Sequence, residues 1–194
     1  MSLKERIYSV LIVSASASLN NGLGEMLPPA KYDPVKTVSG VSSAKRALAE
    51  RDYDFVIVNS PLPDEDGMRF SIDTCGKKST VVLLIVRSEQ YDEFFDRAAE
   101  FGVFLISRPL SRASVTLAFD WMASARERLR LTEKTVISVE QKMDEIRIVN
   151  RAKLLLISEL KMAETDAHRY IEKQAMDRCI QKRLVAEEII KTYG

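Results

Sequence analysis

Between Arg147 and Arg183 the sequence carries nine basic residues, at positions 147, 151, 153, 161, 169, 173, 178, 182 and 183, against five acidic ones. Guanidinium and ammonium groups bind nucleic-acid phosphates with an affinity that falls as salt rises. Guanidinium planes also stack on unpaired bases. The candidates for such contacts are Arg147, Arg151, Lys153, Arg169, Lys173, Arg178, Lys182 and Arg183, with His168, Gln174 and Asp177 as hydrogen-bonding neighbours. For each basic residue the competing role is a solvated helix face, and Tyr170 reads as core before stacking platform. Other chemistries lack their parts. Cys75 and Cys179 are far apart, no CxxC spacing exists, and His168 is the single histidine, so free thiols are expected and a metal site is not. No nucleophile–base pair and no Gly-rich phosphate loop is visible, which argues against an enzyme and against a bound cofactor. The carboxylates of Asp64 and Asp66 share a turn with Pro63 and Gly67, where forming the turn is their ordinary role.

Two different grammars must position these residues. Up to about residue 110, short apolar runs alternate with amphipathic segments. Strands are expected at Tyr8–Val13, Val35–Val38 after the Pro34 break, Asp54–Val58, Val81–Val86 and Gly102–Ile106. Helices are expected at Leu19–Leu27, Ser43–Arg51 and Tyr91–Phe101. Continuous apolar strands between helices imply a parallel sheet covered on both faces. Five strands in this order predict an α/β, flavodoxin-like doubly wound fold.

From Ser111 to Leu160 the sequence has neither Gly nor Pro. Met122, Ala125, Leu129, Thr132, Val136, Val139, Met143 and Ile146 recur at alternating spacings of three and four, a heptad seam flanked by charges such as Arg126, Glu127 and Arg130. One reading is a coiled-coil dimer; the other is a helix packed on its own domain. Two shorter helices follow, at about Asp166–Arg178, with Thr165 as cap, and at Gln181–Thr192. Ala167, Tyr170, Ile171, Leu184, Val185 and Ile189 are expected to face inward. With the end of the long helix they make an all-α three-helix bundle, since neither is long enough to be stable alone.

The stretch from Asp54 through Asn59 to Pro61-Leu62-Pro63-Asp64-Glu65-Asp66-Gly67 resembles the third strand and following loop of a response-regulator receiver domain. Ser107-Arg108-Pro109-Leu110 resembles the Lys-Pro segment after its last strand. The resemblance covers about residues 5–120. It implies a phosphorylatable carboxylate, a magnesium site and a contacting lysine, and this sequence departs at each. Asn59 stands at the nucleophile position, Ser14 and Ala15 (with Ser16) at the metal-binding acids, Ile85 or Val86 at the hydroxyl position and Arg108 at the lysine. An amide is neutral and cannot replace a carboxylate nucleophile. The expectation is a pseudo-receiver.

The tail resembles the ANTAR family of transcription antitermination regulators. The matching residues are Arg147 through Leu156, Thr165 through Ile171, Gln174 through Asp177 and Lys182 through Ala186, with Ile189-Ile190. Leu154 departs from the Gly common there. The resemblance implies binding to hairpin-bearing leader RNA. The organisation expected is a pseudo-receiver over 5–120, a coiled-coil linker over 121–138 and an RNA-binding domain over 139–194. The partners expected are RNA, a second copy of the chain through the linker, and a regulatory protein on the pseudo-receiver. A protein-interaction module without RNA is the alternative; a DNA-binding regulator is disfavoured by Glu187 and Glu188 in the last helix. The net charge of +1 leaves the electrostatic case local. The apolar runs are too short to span a membrane and Met1-Ser2-Leu3-Lys4 lacks the apolar core of a signal peptide, so a cytoplasmic protein is expected.

Overall fold

The computed structural model describes residues 6–77 and 79–194; residues 1–5, including Glu5 at the expected domain start, lie outside it. The chain forms two compact units, one through Arg130 and one from Leu131.

In the first unit five strands, β1 (Tyr8–Val13), β2 (Tyr32–Val38), β3 (Phe55–Asn59), β4 (Val81–Arg87) and β5 (Phe104–Arg108), form a parallel sheet of order β2-β1-β3-β4-β5. Helices α1 (Ala17–Met26), α2 (Val41–Glu50), α3 (Met68–Lys77) and α4 (Tyr91–Glu100) connect them, and α5 starts at Arg112. Strand residues alternate between two cores. Tyr8, Val10, Ile12, Phe55, Ile57, Leu83 and Ile85 pack with α1 and the start of α5. Leu11, Val13, Val56, Val58, Val82, Leu84 and Val86 pack with α2, α3 and α4. Burial on both faces is why these strands read as unbroken apolar runs.

Three expectations shift. β2 begins at Tyr32 and contains Pro34, which an edge strand accepts because its outer side needs no donor. β5 lies two residues beyond the expected strand, since Gly102 takes φ of +75° in the preceding turn, and this places Arg108 at the strand end. Helix α3 carries no strong helical signal in its Ser, Thr, Cys and Gly residues. It is started from outside, by the Asp66 carboxylate accepting the Met68 N–H at 2.9 Å. Asp64 does the same for α2, accepting from Val41 N (3.0 Å) and Ser42 N (2.9 Å). Those two N–H bonds draw the Asp64 pKa below its ordinary value. A Cβ at Gly40 would meet that carboxylate at 2.8 Å, and one at Gly67, where φ is +83°, would meet Val58 at 2.8 Å. Both glycines are therefore fixed by close approach.

The long helix α5 (Arg112–Leu160, 49 residues) is one uninterrupted element. Within the first unit its Val115, Ala118, Phe119 and Met122 are buried against the sheet. Met122 is fully buried and Ala125 packs beside it, so neither belongs to a dimer seam as the heptad pattern suggested. The flanking charges are also engaged there. Asp54 accepts from Arg126 Nε (2.9 Å) and Arg130 Nη2 (2.7 Å), and from the Ser9 N–H (3.0 Å). Glu127 accepts from Arg130 (2.6 Å) and from the Tyr8 hydroxyl (3.2 Å). Burial, reinforced by Glu127, holds the Tyr8 phenol up at about 12.

In the second unit the end of α5, α6 (Glu164–Asp177) and α7 (Lys182–Tyr193) enclose a core of Ala152, Leu156, Ala167, Ile171, Ala175, Val185, Ala186 and Ile189. Each turn places a non-glycine residue in the left-handed region, Lys161 at φ 53° and Cys179 at φ 52°. The residue after each, Met162 or Ile180, packs into the bundle. After α6 the Ile180 N–H returns to Ala175 O at 3.0 Å and the Cys179 N–H to Met176 O at 3.1 Å, the hydrogen-bond pair of a Schellman ending. Two inward assignments and one cap are corrected. Tyr170 is 41% and Leu184 46% exposed, while the small Ala167 and Ala186 occupy the core instead. Thr165 lies inside α6 and Ala163 occupies the cap position.

Candidate functional site

The carboxyl ends of β1 and β3 flank the point where strand order reverses, the usual place for a site in an open parallel sheet. Ser14 and Asn59 meet there, both almost wholly buried. The Asn59 amide donates to Ser14 Oγ at 3.1 Å, and its Oδ1 accepts from Arg108 Nη2 at 2.7 Å. The same guanidinium nitrogen donates to Ser60 O. Ser14 Oγ also accepts the Ser16 N–H at 3.2 Å. Ala15 beside them is exposed, and Ile85, paired with Asn59 across the ladder, is buried and apolar. A neutral amide thus joins a hydroxyl to a guanidinium. Among the described residues no group of three or more His, Cys, Asp or Glu side chains is placed to hold a metal ion.

In the three-helix unit the basic residues fall into two sets. Arg178 pairs with both carboxylate oxygens of Glu188 (2.6 and 2.7 Å), Arg183 with Glu187 (2.8 Å), Lys182 with Glu172, and Arg147 with Asp144 at 3.5 Å. The hydrogen bond from Lys182 draws the Glu172 carboxyl down. Lys153 is mostly buried, its side chain 18% exposed and 3.6 Å from Glu164. Arg151, Arg169 and Lys173, by contrast, are exposed and have no carboxylate partner among the described residues. Arg169 and Lys173 stand four apart on α6, on one face.

A groove of about 390 Å³ runs between the three helices of this unit, lined by Lys142, Lys153, Lys182, His168 and Asn150, by the acid Glu145 and by the apolar Ile146 and Val149. His168 Nε2 lies 3.4 Å from Glu172. Gln174 is half-buried and Asp177 is exposed at the end of α6, outside this groove. The groove brings together three predicted residues, Lys153, His168 and Lys182. It adds Lys142 and Asn150, which sequence reasoning missed. Their signal was helical periodicity: positions 142, 146, 149, 150 and 153 fall on one face of α5.

A five-stranded parallel sheet thus precedes a three-helix module. Residues 138–190 match the model of the ANTAR domain. The chain is 26% identical over 186 residues to the transcriptional regulatory protein PdtaR of Mycobacterium tuberculosis, covering 95% of this chain and 90% of that protein. The response regulator StyR superposes with a TM-score of 0.64 at 14% identity, over 97% of this chain and all of that one. The signal receiver domain of an HD domain-containing protein from Pseudomonas fluorescens Pf-5 superposes with a TM-score of 0.58 at 21% identity, over 67% of this chain and 96% of that one. The comparisons thus give the C-terminal helices the likeness of an ANTAR domain and the N-terminal unit the receiver fold, in the order found in that transcriptional regulator. No described helix is long and apolar enough to cross a membrane.

Proposed function

We propose that this regulator is a transcription antiterminator that binds hairpin-bearing leader RNA through its C-terminal helices, roughly residues 139–194, and that its receiver-fold domain works without phosphoryl chemistry. The observation that carries the RNA reading is the division of charge. Arg151, Arg169 and Lys173 are exposed and lack a carboxylate partner among the described residues, so their charge is available to phosphate. The groove beside His168 supplies hydrogen-bonding groups at a scale suited to a single unstacked base. Titration of a labelled two-hairpin leader RNA across salt concentrations tests this reading; saturable, salt-sensitive binding supports it, and no binding at low salt sinks it in favour of a protein-interaction module.

The receiver reading rests on Asn59. An amide lacks the negative oxygen needed to attack phosphorus, and here its Oδ1 is already occupied by Arg108. Incubation with acetyl phosphate and magnesium is expected to give no acid-labile phosphoryl adduct by intact mass. A stable adduct lost on changing Asp64 or Asp66 would refute it, although both carboxylates already hold helix N-termini.

Association through α5 is the other part of the proposal. With Met122 and Ala125 buried, the usable seam is Val136, Val139, Met143 and Ile146, each about half exposed at spacings of three, four and three. Light scattering at micromolar concentration is expected to give a dimer, and the double variant Val139→Glu, Met143→Glu a monomer. A monomeric parent protein, with and without RNA, removes this element. The receiver-fold domain remains free for a regulatory protein partner, and the whole is read as cytoplasmic.

A further inference from the structure

We infer that the cleft between α1 and the start of α5 in the first unit is a binding site for a small organic anion with an apolar body. The cleft has a volume of about 550 Å³, within the range of small-molecule sites. Its lining is aliphatic at Leu19, Leu23, Met26 and Val115 and cationic at Arg108 and Arg112. Glu25 is the one acid on the lining, so the side chains leave a net positive charge.

Three further features favour an anion beside the two arginines. Arg108 has only Nη2 engaged, by Asn59 and Ser60; Nε is buried with no partner, and Nη1 makes no hydrogen bond among the described residues. Arg112 is exposed and has no carboxylate partner among them. Both flanking helices begin at the cleft: Ser16 caps α1, accepting the Leu19 N–H at 3.4 Å, and Ser111 accepts the Ser114 N–H at 3.0 Å at the start of α5. The positive ends of two helices therefore add to two guanidinium groups. Leu23 and Val115 belong to the core, while the partly buried Leu19 and Met26 offer apolar surface that a carbon body would cover. This inference goes beyond the RNA reading and does not depend on it.

The probe is anilinonaphthalene sulfonate, an apolar ring system bearing one anionic group, titrated into the full chain and followed by fluorescence. Saturable single-site binding is expected. Phenylnaphthylamine, the same rings without the sulfonate, should bind about tenfold more weakly, the scale of one charge-assisted hydrogen bond. Arg112→Ala should weaken the dye by a similar factor. Gly22→Phe should weaken binding by crowding the cleft: Gly22 is on its lining, and a Cβ there meets no atom within 4 Å, so the neighbours accept the substitution. Should Gly22→Phe fail to fold by circular dichroism, the exposed Arg112→Ala change decides alone. Absence of saturable binding overturns the site. So does a dye affinity unchanged by these substitutions, which would place the dye on exposed apolar residues elsewhere. Equal binding of the neutral analogue overturns the anionic end, and displacement by equimolar inorganic phosphate overturns the need for an apolar body.

Discussion

Replacement of Arg151, Arg169 and Lys173 together by alanine is expected to weaken binding to a two-hairpin leader RNA on the order of a hundredfold, with each residue contributing about 1 kcal/mol. The slope of log affinity against log salt should become shallower by about 0.7–0.9 for each lost phosphate contact. All three side chains are exposed, so the bundle core of Ala152, Leu156, Ala167, Ile171 and Val185 is untouched and the fold should persist. The informative comparison is Arg178→Ala with Arg183→Ala. Both residues are basic and lie on the same three helices, yet their guanidinium groups already face Glu188 and Glu187. Contact with phosphate would require breaking those pairs, so this second variant should change affinity and salt slope much less. Fluorescence anisotropy with the same RNA separates the two outcomes. If the paired set mattered more than the unpaired set, the charge-division argument would be wrong even where RNA binding itself was confirmed.

The second large effect is expected at Asp54, at the amino end of β3. One carboxylate, its side chain 14% exposed, satisfies the guanidinium groups of Arg126 and Arg130 and the N–H of Ser9. Asp54→Ala leaves two half-buried cations without their shared acceptor. A cost of about 3 kcal/mol follows, at the low end for breaking a buried pair. Thermal unfolding of the receiver-fold unit should then move down on the order of 10 °C. A melting curve indistinguishable from that of the parent would show that the network contributes no stability.

The same group sets a pH dependence. Burial raises the Asp54 pKa, but the Ser9 N–H, Arg126 and Arg130 outweigh it and the net shift is downward. A carboxyl whose folded pKa lies below its unfolded value stabilises the fold above the unfolded pKa, roughly 3.9 for Asp. That stability disappears as pH falls below that value and through the folded pKa. Denaturant midpoints measured between neutral and acid pH should therefore fall less steeply in Asp54→Asn than in the parent.

How far the chain could be read before folding depends on the residue. The runs at Tyr8, Phe55 and Val81 announced buried parallel strands because burial on both faces leaves no polar alternation. Asn59, Ser14 and Arg108 could be assigned to one place by resemblance, and the sheet brings all three within hydrogen-bond reach. Helix α3 was not legible, because its start depends on Asp66 capping Met68 and its own residues carry little helical preference. Nor was the fate of the heptad seam. Met122 and Val139 occupy equivalent places in the 3–4 pattern, yet one is buried against the sheet and the other is half exposed. Periodicity reports that a face is apolar and not what covers it.

The amino-acid sequence by itself determined the order of the five strands, the uninterrupted course of α5 and the absence of a carboxylate at the end of β3. Each is local: apolar run length, the lack of Gly and Pro, or the identity of one residue. The tertiary structure alone decided which basic groups remain available, that Arg126 and Arg130 grip Asp54, and that Arg108 and Arg112 line a cleft. Those outcomes depend on which carboxylate or cavity each long side chain meets. Such distances are set by helix packing across many residues, and no spacing along the chain encodes them directly.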